Sequence, residues 1–216
     1  MFSSFVDFPD LNLRACKTHV TREYWLQYNQ DPIMRDAWLH EPNWSFSASA
    51  QTNPRIPATH IRYDEILQWI AQVNEIESTA WRLPSTTEAL QLMQIGQDIT
   101  TMTADDIYQQ AIVYDNSGGV INPVSKKAPT PAGLYDVIGL VSTWCSDRKT
   151  ASGYSWAATV GGSWSHSIEA CKQRKIRWHW TQIRSDIIGF RLVATLTEAA
   201  QASKQQRGSD AYIFST

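Results

Sequence analysis

Hydrophobic and polar positions follow two different rhythms along this chain, and the change falls near Ala111. Before it the rhythm is helical. In DEILQWIAQVNEIE, residues 64–77, Ile66, Leu67, Ile70 and Val73 share one face at helical spacing, which predicts an amphipathic helix with that face in the core. Ser85-Thr86-Thr87-Glu88 after Pro84 is a capping box and predicts a helix to about Gln94, with Gly96 as its C-cap. VTREYWLQYNQ, residues 20–30, predicts a shorter helix. Thr21 can cap it, Val20 and Trp25 hold the positions of a hydrophobic staple, and Asp31-Pro32 stops it. Asp105 to Gln110 reads as one more helical turn. Pro32, Pro42, Pro54 and Pro57 make residues 32–61 mostly loop.

From Ala111 onward the apolar segments shorten. Gly118-Gly119, Pro123, Pro129, Pro131 and Gly133 punctuate them. Val137-Ile138, Val141, Val160 and Phe190-Arg191-Leu192-Val193 are the strand candidates. Helices first, then short strands with long irregular connections, predict an α+β fold with much irregular loop. No repeat or linker divides the chain. One domain is expected over residues 1–193, with 194–216 as a C-terminal tail or docking arm carrying Tyr212-Ile213-Phe214 near its end.

Composition narrows the function classes. The chain has 216 residues and a formal net charge of −2, so no global attraction to nucleic acid or membrane is expected. No apolar run of about 18 residues is present to predict a transmembrane helix. MFSSFVDFPD lacks the basic and apolar regions of a signal peptide, so a cytoplasmic location is expected, or a virion surface for a phage-encoded chain. Cys16, Cys145 and Cys171 are odd in number and form no CxxC, which predicts reduced thiols rather than a disulfide framework. Ten tryptophans predict either a loop-rich fold held by aromatic anchors or an aromatic binding surface.

Three segments carry a specific pattern in this order. They are Trp81-Arg82-Leu83-Pro84 with Thr87-Glu88-Ala89, then Gly133-Leu134-Tyr135-Asp136-Val137-Ile138-Gly139 ending in Trp144-Cys145-Ser146-Asp147, then Gly161-Gly162-Ser163-Trp164 closed by Gly189-Phe190-Arg191-Leu192. Read physically, Arg82 and Arg191 are loop-locking arginines, Gly139, Gly161 and Gly162 suit positive φ or close backbone approach, and Trp81, Trp144 and Trp164 are core anchors. Together the segments resemble the formylglycine-generating enzyme, or sulfatase-modifying factor, family, over about residues 15–193. The resemblance implies that family's variant of the C-type lectin fold.

The resemblance also says where the family's chemistry should sit. Those enzymes oxidise a substrate cysteine with oxygen at copper(I) held by two cysteines five positions apart, soon after the Gly-Gly-Ser turn. Here the matching positions are His166 and Cys171. A neutral imidazole replaces a soft thiolate, so copper binding is expected to weaken and the chain is expected to be non-catalytic, with His166 and Cys171 only weak metal candidates. The family's GNVWEW motif, whose Asn and Glu help hold calcium, reads Gly139-Leu140-Val141-Ser142-Thr143-Trp144. Calcium needs several oxygen ligands, and Asp136 is the carboxylate left to a depleted, weak site.

Without the cysteine pair, residues 165–187 read as an irregular contact loop on a rigid scaffold. Cations and aromatics interleave in KQRKIRWHWTQIR, residues 172–184, and both types are enriched at binding hot spots. The candidate binding residues are Ser165, His166, Arg174, Arg177, Trp178, His179, Trp180 and Arg184. The competing reading leaves Trp178 and Trp180 as core or subunit contacts. The same fold family includes phage decoration, collar and fibre proteins and the variable proteins of diversity-generating retroelements. The expectation is a non-catalytic binding or assembly module, a phage structural or ligand-display protein. Its partners are expected to be proteins, including copies of itself in an oligomer or larger assembly, or a glycan or host-surface ligand. The alternatives are a copper-dependent oxidase with an altered His/Cys site, and a retroelement variable protein.

Overall fold

The computed structural model describes residues 4–29 and 53–196. The chain opens on a β-hairpin. Strands β1 (Phe5–Phe8) and β2 (Leu13–Cys16) pair antiparallel, and β7 (Val193–Thr195) adds to β2 from the far end of the sequence. The sequence reading missed this hairpin. Between its strands Pro9–Leu11 form a 3-10 turn that ends on Asn12 in the left-handed region, so no Asn-Gly or Asp-Gly signal marks it. Strand β7 carries the paired sheet past residue 193 to Thr195. Residues 197–216, including Tyr212-Ile213-Phe214, lie outside the described residues.

The helices form close to where the pattern places them. Helix α1 (Arg22–Tyr28) starts on Thr21, whose hydroxyl accepts from Tyr24 N–H, and ends at Asn29, before Asp31-Pro32. Val20 and Trp25 both lie in the core that this helix covers. Helix α2 (Tyr63–Glu77) buries Ile66, Trp69, Ile70 and Val73, but leaves Leu67 38% exposed. Leu67 stands one residue, about 100°, around from Ile66, and the wider Trp69 fills the core side instead. Helix α3 (Thr86–Gln94) has the expected capping box, with Ser85 Oγ accepting from Glu88 N–H and Glu88 accepting from Ser85 N–H. Its cap is Ile95, and Gly96 follows at φ +75. Two short helices follow, α4 (Ala104–Gln110), capped by Thr103, and α5 (Tyr114–Ser117).

The second sheet has four strands. Strands β3 (Ser142–Ala151) and β4 (Tyr154–Val160) make a long antiparallel hairpin whose tip is Ser152-Gly153, both at positive φ as a two-residue turn requires. Strand β6 (Ile188–Gly189) lies parallel to β3, and β5 (Arg177–Trp180) pairs antiparallel with β4. Of the strand candidates, Val160 ends β4 and Val193 begins β7, whereas Val137-Ile138 and Phe190–Leu192 stay outside strands.

This sheet separates two hydrophobic cores, and alternation along β3 and β4 sends neighbours to opposite sides. Trp144 and Ala157 join Trp25, Trp69 and Phe190 on one side. Cys145, Ala158 and Val160 join Leu92, Ile107 and Ile138 on the other. Trp25 stacks on Trp69 at 5.2 Å, and Phe190 meets both rings edge-on. The loop-locking arginines act as expected. Arg82 forks onto Glu88 at 2.8 and 2.7 Å, and fully buried Arg191 donates to the carbonyls of Cys16 and Tyr135, joining the first sheet to the second half of the chain.

Candidate functional site

The segment from Gly161 to Arg191 is more regular than expected. After the Gly161-Gly162 turn, both glycines at positive φ, residues Ile168–Lys172 form helix α6, whose cap Ser167 accepts from Ala170 N–H. Residues Arg177–Trp180 form edge strand β5 rather than loop. A strand at a sheet edge can mix cations with aromatics because only one of its sides is paired, and this mixture hid it from the sequence pattern.

The strand splits the Trp-His-Trp triplet. Trp178 and Trp180 lie on one face of the sheet, and Arg177 and His179 on the other. His179 is half-buried, edge-on to core Trp144 at 5.9 Å. Burial holds its imidazole below the usual histidine range, with help from Arg177 and His166. Trp178 is half-buried against the second core, with Lys149 Nζ 4.3 Å from its ring centre. Trp180 is 45% exposed and meets Tyr154, itself 56% exposed, at 6.1 Å and 89°. The triplet is thus divided within one strand: His179 and Trp178 pack on core, and Trp180 faces solvent.

The other candidates separate. Ser165 is exposed, and its Oγ lies 3.1 Å from Ser163 Oγ, which in turn lies 2.7 Å from His166 Nδ1. Arg177 donates to the carbonyl of Ala170, and Arg174 takes a left-handed backbone with its Nε buried. Arg184 stands apart. It donates to His60 carbonyl and to Glu65 at the start of α2, so it fastens a loop to a helix. Tyr154, Trp156 and Lys149 belong to the Trp178–Trp180 face and were not singled out from the sequence. The Ser152-Gly153 turn could have marked the β3–β4 hairpin, but not its pairing with β5, which brings these residues to Trp180.

The metal candidates do not fit their metals. Cys171 is 1% exposed, and a Cβ on Gly162 would come within 2.4 Å of its Sγ, so the thiol occupies the space the glycine leaves. Burial pushes that thiol up to about 11, against the opposing pull of nearby backbone N–H groups and Arg177. His166 has its Nδ1 engaged by Ser163, and burial together with Arg177 holds it below the usual range. A neutral imidazole held at Nδ1 could still ligate through Nε2, so the misfit lies with Cys171, whose buried, protonated thiol is a poor copper(I) ligand. For calcium, Thr143 Oγ1 is bound to His19 Nε2 at 2.8 Å, and Leu140 is buried among apolar residues. Asp136 is 2% exposed, with Oδ2 accepting Ser125 N–H and Oδ1 unpartnered. Among the described residues no group of three or more His, Cys, Asp or Glu converges as a metal site. Cys16, Cys145 and Cys171 are all free thiols.

Few helices, short strands and much irregular backbone, fastened by Arg82, Arg191 and the Gly-Gly turn, define the formylglycine-generating-enzyme type of C-type-lectin-like fold. The Sulfatase-modifying factor enzyme 1-like domain matches residues 6–196, and the chain belongs to that family. Among curated proteins no sequence matches it. Among solved structures it is similar to Treponema denticola variable protein 1, with a TM-score of 0.70, 19% identity, and coverage of 85% of this chain and 84% of that one. It is also similar to CarF, with a TM-score of 0.65, 18% identity and coverage of 86% and 87%. PvdO from Pseudomonas aeruginosa aligns with a TM-score of 0.66, 17% identity and coverage of 85% and 80%. Among the described residues no helix is long and apolar enough to cross a membrane.

Proposed function

We propose that this chain is a ligand-binding member of its family that does not carry out copper-dependent cysteine oxidation. The observation behind this is the Cys171 thiol, buried over Gly162 and pushed up to about 11. A thiol serves as metal ligand or nucleophile only as an accessible thiolate, and burial opposes both. Strand β5 meanwhile offers Trp180 outward on a rigid sheet, which costs little ordering on binding.

Two non-enzymatic roles were expected from the sequence, ligand binding and phage assembly. Ligand binding has the support of a solved relative, since the Treponema denticola protein is a variable protein. We keep the phage particle, surface display and self-association as the setting of the proposal, with a protein or a surface glycan as the partner.

The test is a set of defined glycans and peptides probed with the wild-type chain and with Trp180→Ala. Ligands are expected that the variant loses. No ligand at all, or ligands held equally by both, contradicts the reading. Aldehyde formed on a cysteine-containing peptide with copper(I) and oxygen would establish the oxidase instead.

A further inference from the structure

We infer that the aromatic corner where β4 meets β5 binds an acidic sugar, a pyranose ring carrying a carboxylate. The inference rests on the ligand-binding reading above and names its ligand class.

One sheet face carries Lys149 from β3, Tyr154 and Trp156 from β4, and Trp178 and Trp180 from β5. Trp156 stands directly opposite Trp180 on one side and Lys149 on the other. The row is anchored inward and open outward. Trp178 and Trp156 are half-buried, whereas Trp180 and Tyr154 are 45% and 56% exposed. The two exposed rings stand perpendicular, at 89°, so one flat face and one wall meet in a corner. Cross-strand pairing fixes both, and little side-chain freedom is lost when something settles there.

Charge decides among flat ligands. Lys149 is exposed, and its ammonium rests 4.3 Å from the Trp178 ring centre. That contact uses one side of a group with three N–H donors and leaves the rest for an acceptor. Among the described residues no carboxylate pairs with it. A pyranose ring offers an apolar C–H face to an indole and keeps its hydroxyls in water. Its carboxylate supplies the single negative charge that a single lysine matches. A nucleic-acid strand needs a basic groove that tracks several phosphates, whereas this face has one lysine in a chain of net charge −2. A stable protein partner needs about 800 Å² on each side, far more than two exposed rings provide.

The experiment titrates tetragalacturonate and 3′-sialyllactose into the full chain by calorimetry. The methyl esters of the two are the neutral counterparts, and an oligothymidine is the nucleic-acid probe. One acidic sugar is expected to bind, with its neutral counterpart about tenfold weaker, a difference of about 1.4 kcal/mol. Trp180→Ala and Tyr154→Ala are each expected to weaken binding about tenfold with an unchanged far-ultraviolet circular dichroism spectrum. Lys149→Gln should make acidic and neutral sugars bind alike. Binding of neither acidic sugar, equal binding of acidic and neutral forms by the wild type, or tighter binding of the oligothymidine overturns the inference. When the acidic sugars fail but another ligand is lost in Trp180→Ala, only the sugar falls; when no ligand is found by either experiment, the ligand-binding reading falls with it.

Discussion

Gly162 and Cys171 share one space: a Cβ added to the glycine would lie 2.4 Å from the cysteine Sγ and 3.3 Å from its Cα. The turn at Gly162, φ +72, and helix α6 are thus packed together through a buried thiol. Gly162→Ala combines a left-handed backbone with this collision, and about 2 kcal/mol or more of stability should be lost. Urea unfolding measures it; a variant as stable as wild type would mean the two residues do not touch.

The same burial predicts slow chemistry at sulfur. Cys16, Cys145 and Cys171 are buried, and burial raises all three thiols. A colorimetric disulfide reagent at neutral pH should label the native chain slowly and all three thiols rapidly after unfolding. Rapid labelling of Cys171 in the native chain would show a reachable thiolate and reopen the enzymatic reading.

Arg191 predicts a stability loss of a different kind. It is buried, with guanidinium donors on Cys16 and Tyr135 carbonyls. Lysine keeps the charge but cannot fork onto both. Arg191→Lys should therefore cost about 2–4 kcal/mol in urea unfolding, a cost seen equally at high salt because the site is buried.

Asp136 predicts a pH dependence. Burial pushes its carboxyl up to about 6, against the pull of Ser125 N–H, Arg191 and Arg55. The folded chain then holds this proton more tightly than the unfolded chain, whose aspartate titrates near its ordinary value of about 3.9. The contribution to stability is complete below about pH 4 and is lost as pH rises through about 6, a total of about 3 kcal/mol. Subtracting the profile of Asp136→Asn from that of wild type should isolate this fall. A difference that is flat between pH 4 and 6 would contradict it.

How much of this was legible in the sequence depended on element length. Helices α2 and α3 span enough turns for their faces and caps to show, and Ser85 with Glu88 fixed the start of α3. Strands of two to four residues, such as Ile188–Gly189, are too short to display alternation. The outer half of β3, Ser146–Ala151, projects beyond the core and buries neither face, so no period could form there. Arg177–Trp180 looked like loop because it is an edge strand. The ordered motifs located the scaffold, since Arg82, Arg191 and Gly162 each satisfy a geometric need that other residues cannot. The exposed partner of Trp180, Tyr154, was not legible, because pairing β4 with β5 requires the chain to return around α6.

The most direct test of the central claim is an anaerobic copper(I) titration of the reduced chain against a competing chelator. With Cys171 buried over Gly162 and its thiol held protonated, no tight one-to-one binding is expected. Tight one-to-one binding that Cys171→Ala abolishes would contradict the account and return the chain to the family's oxidase chemistry.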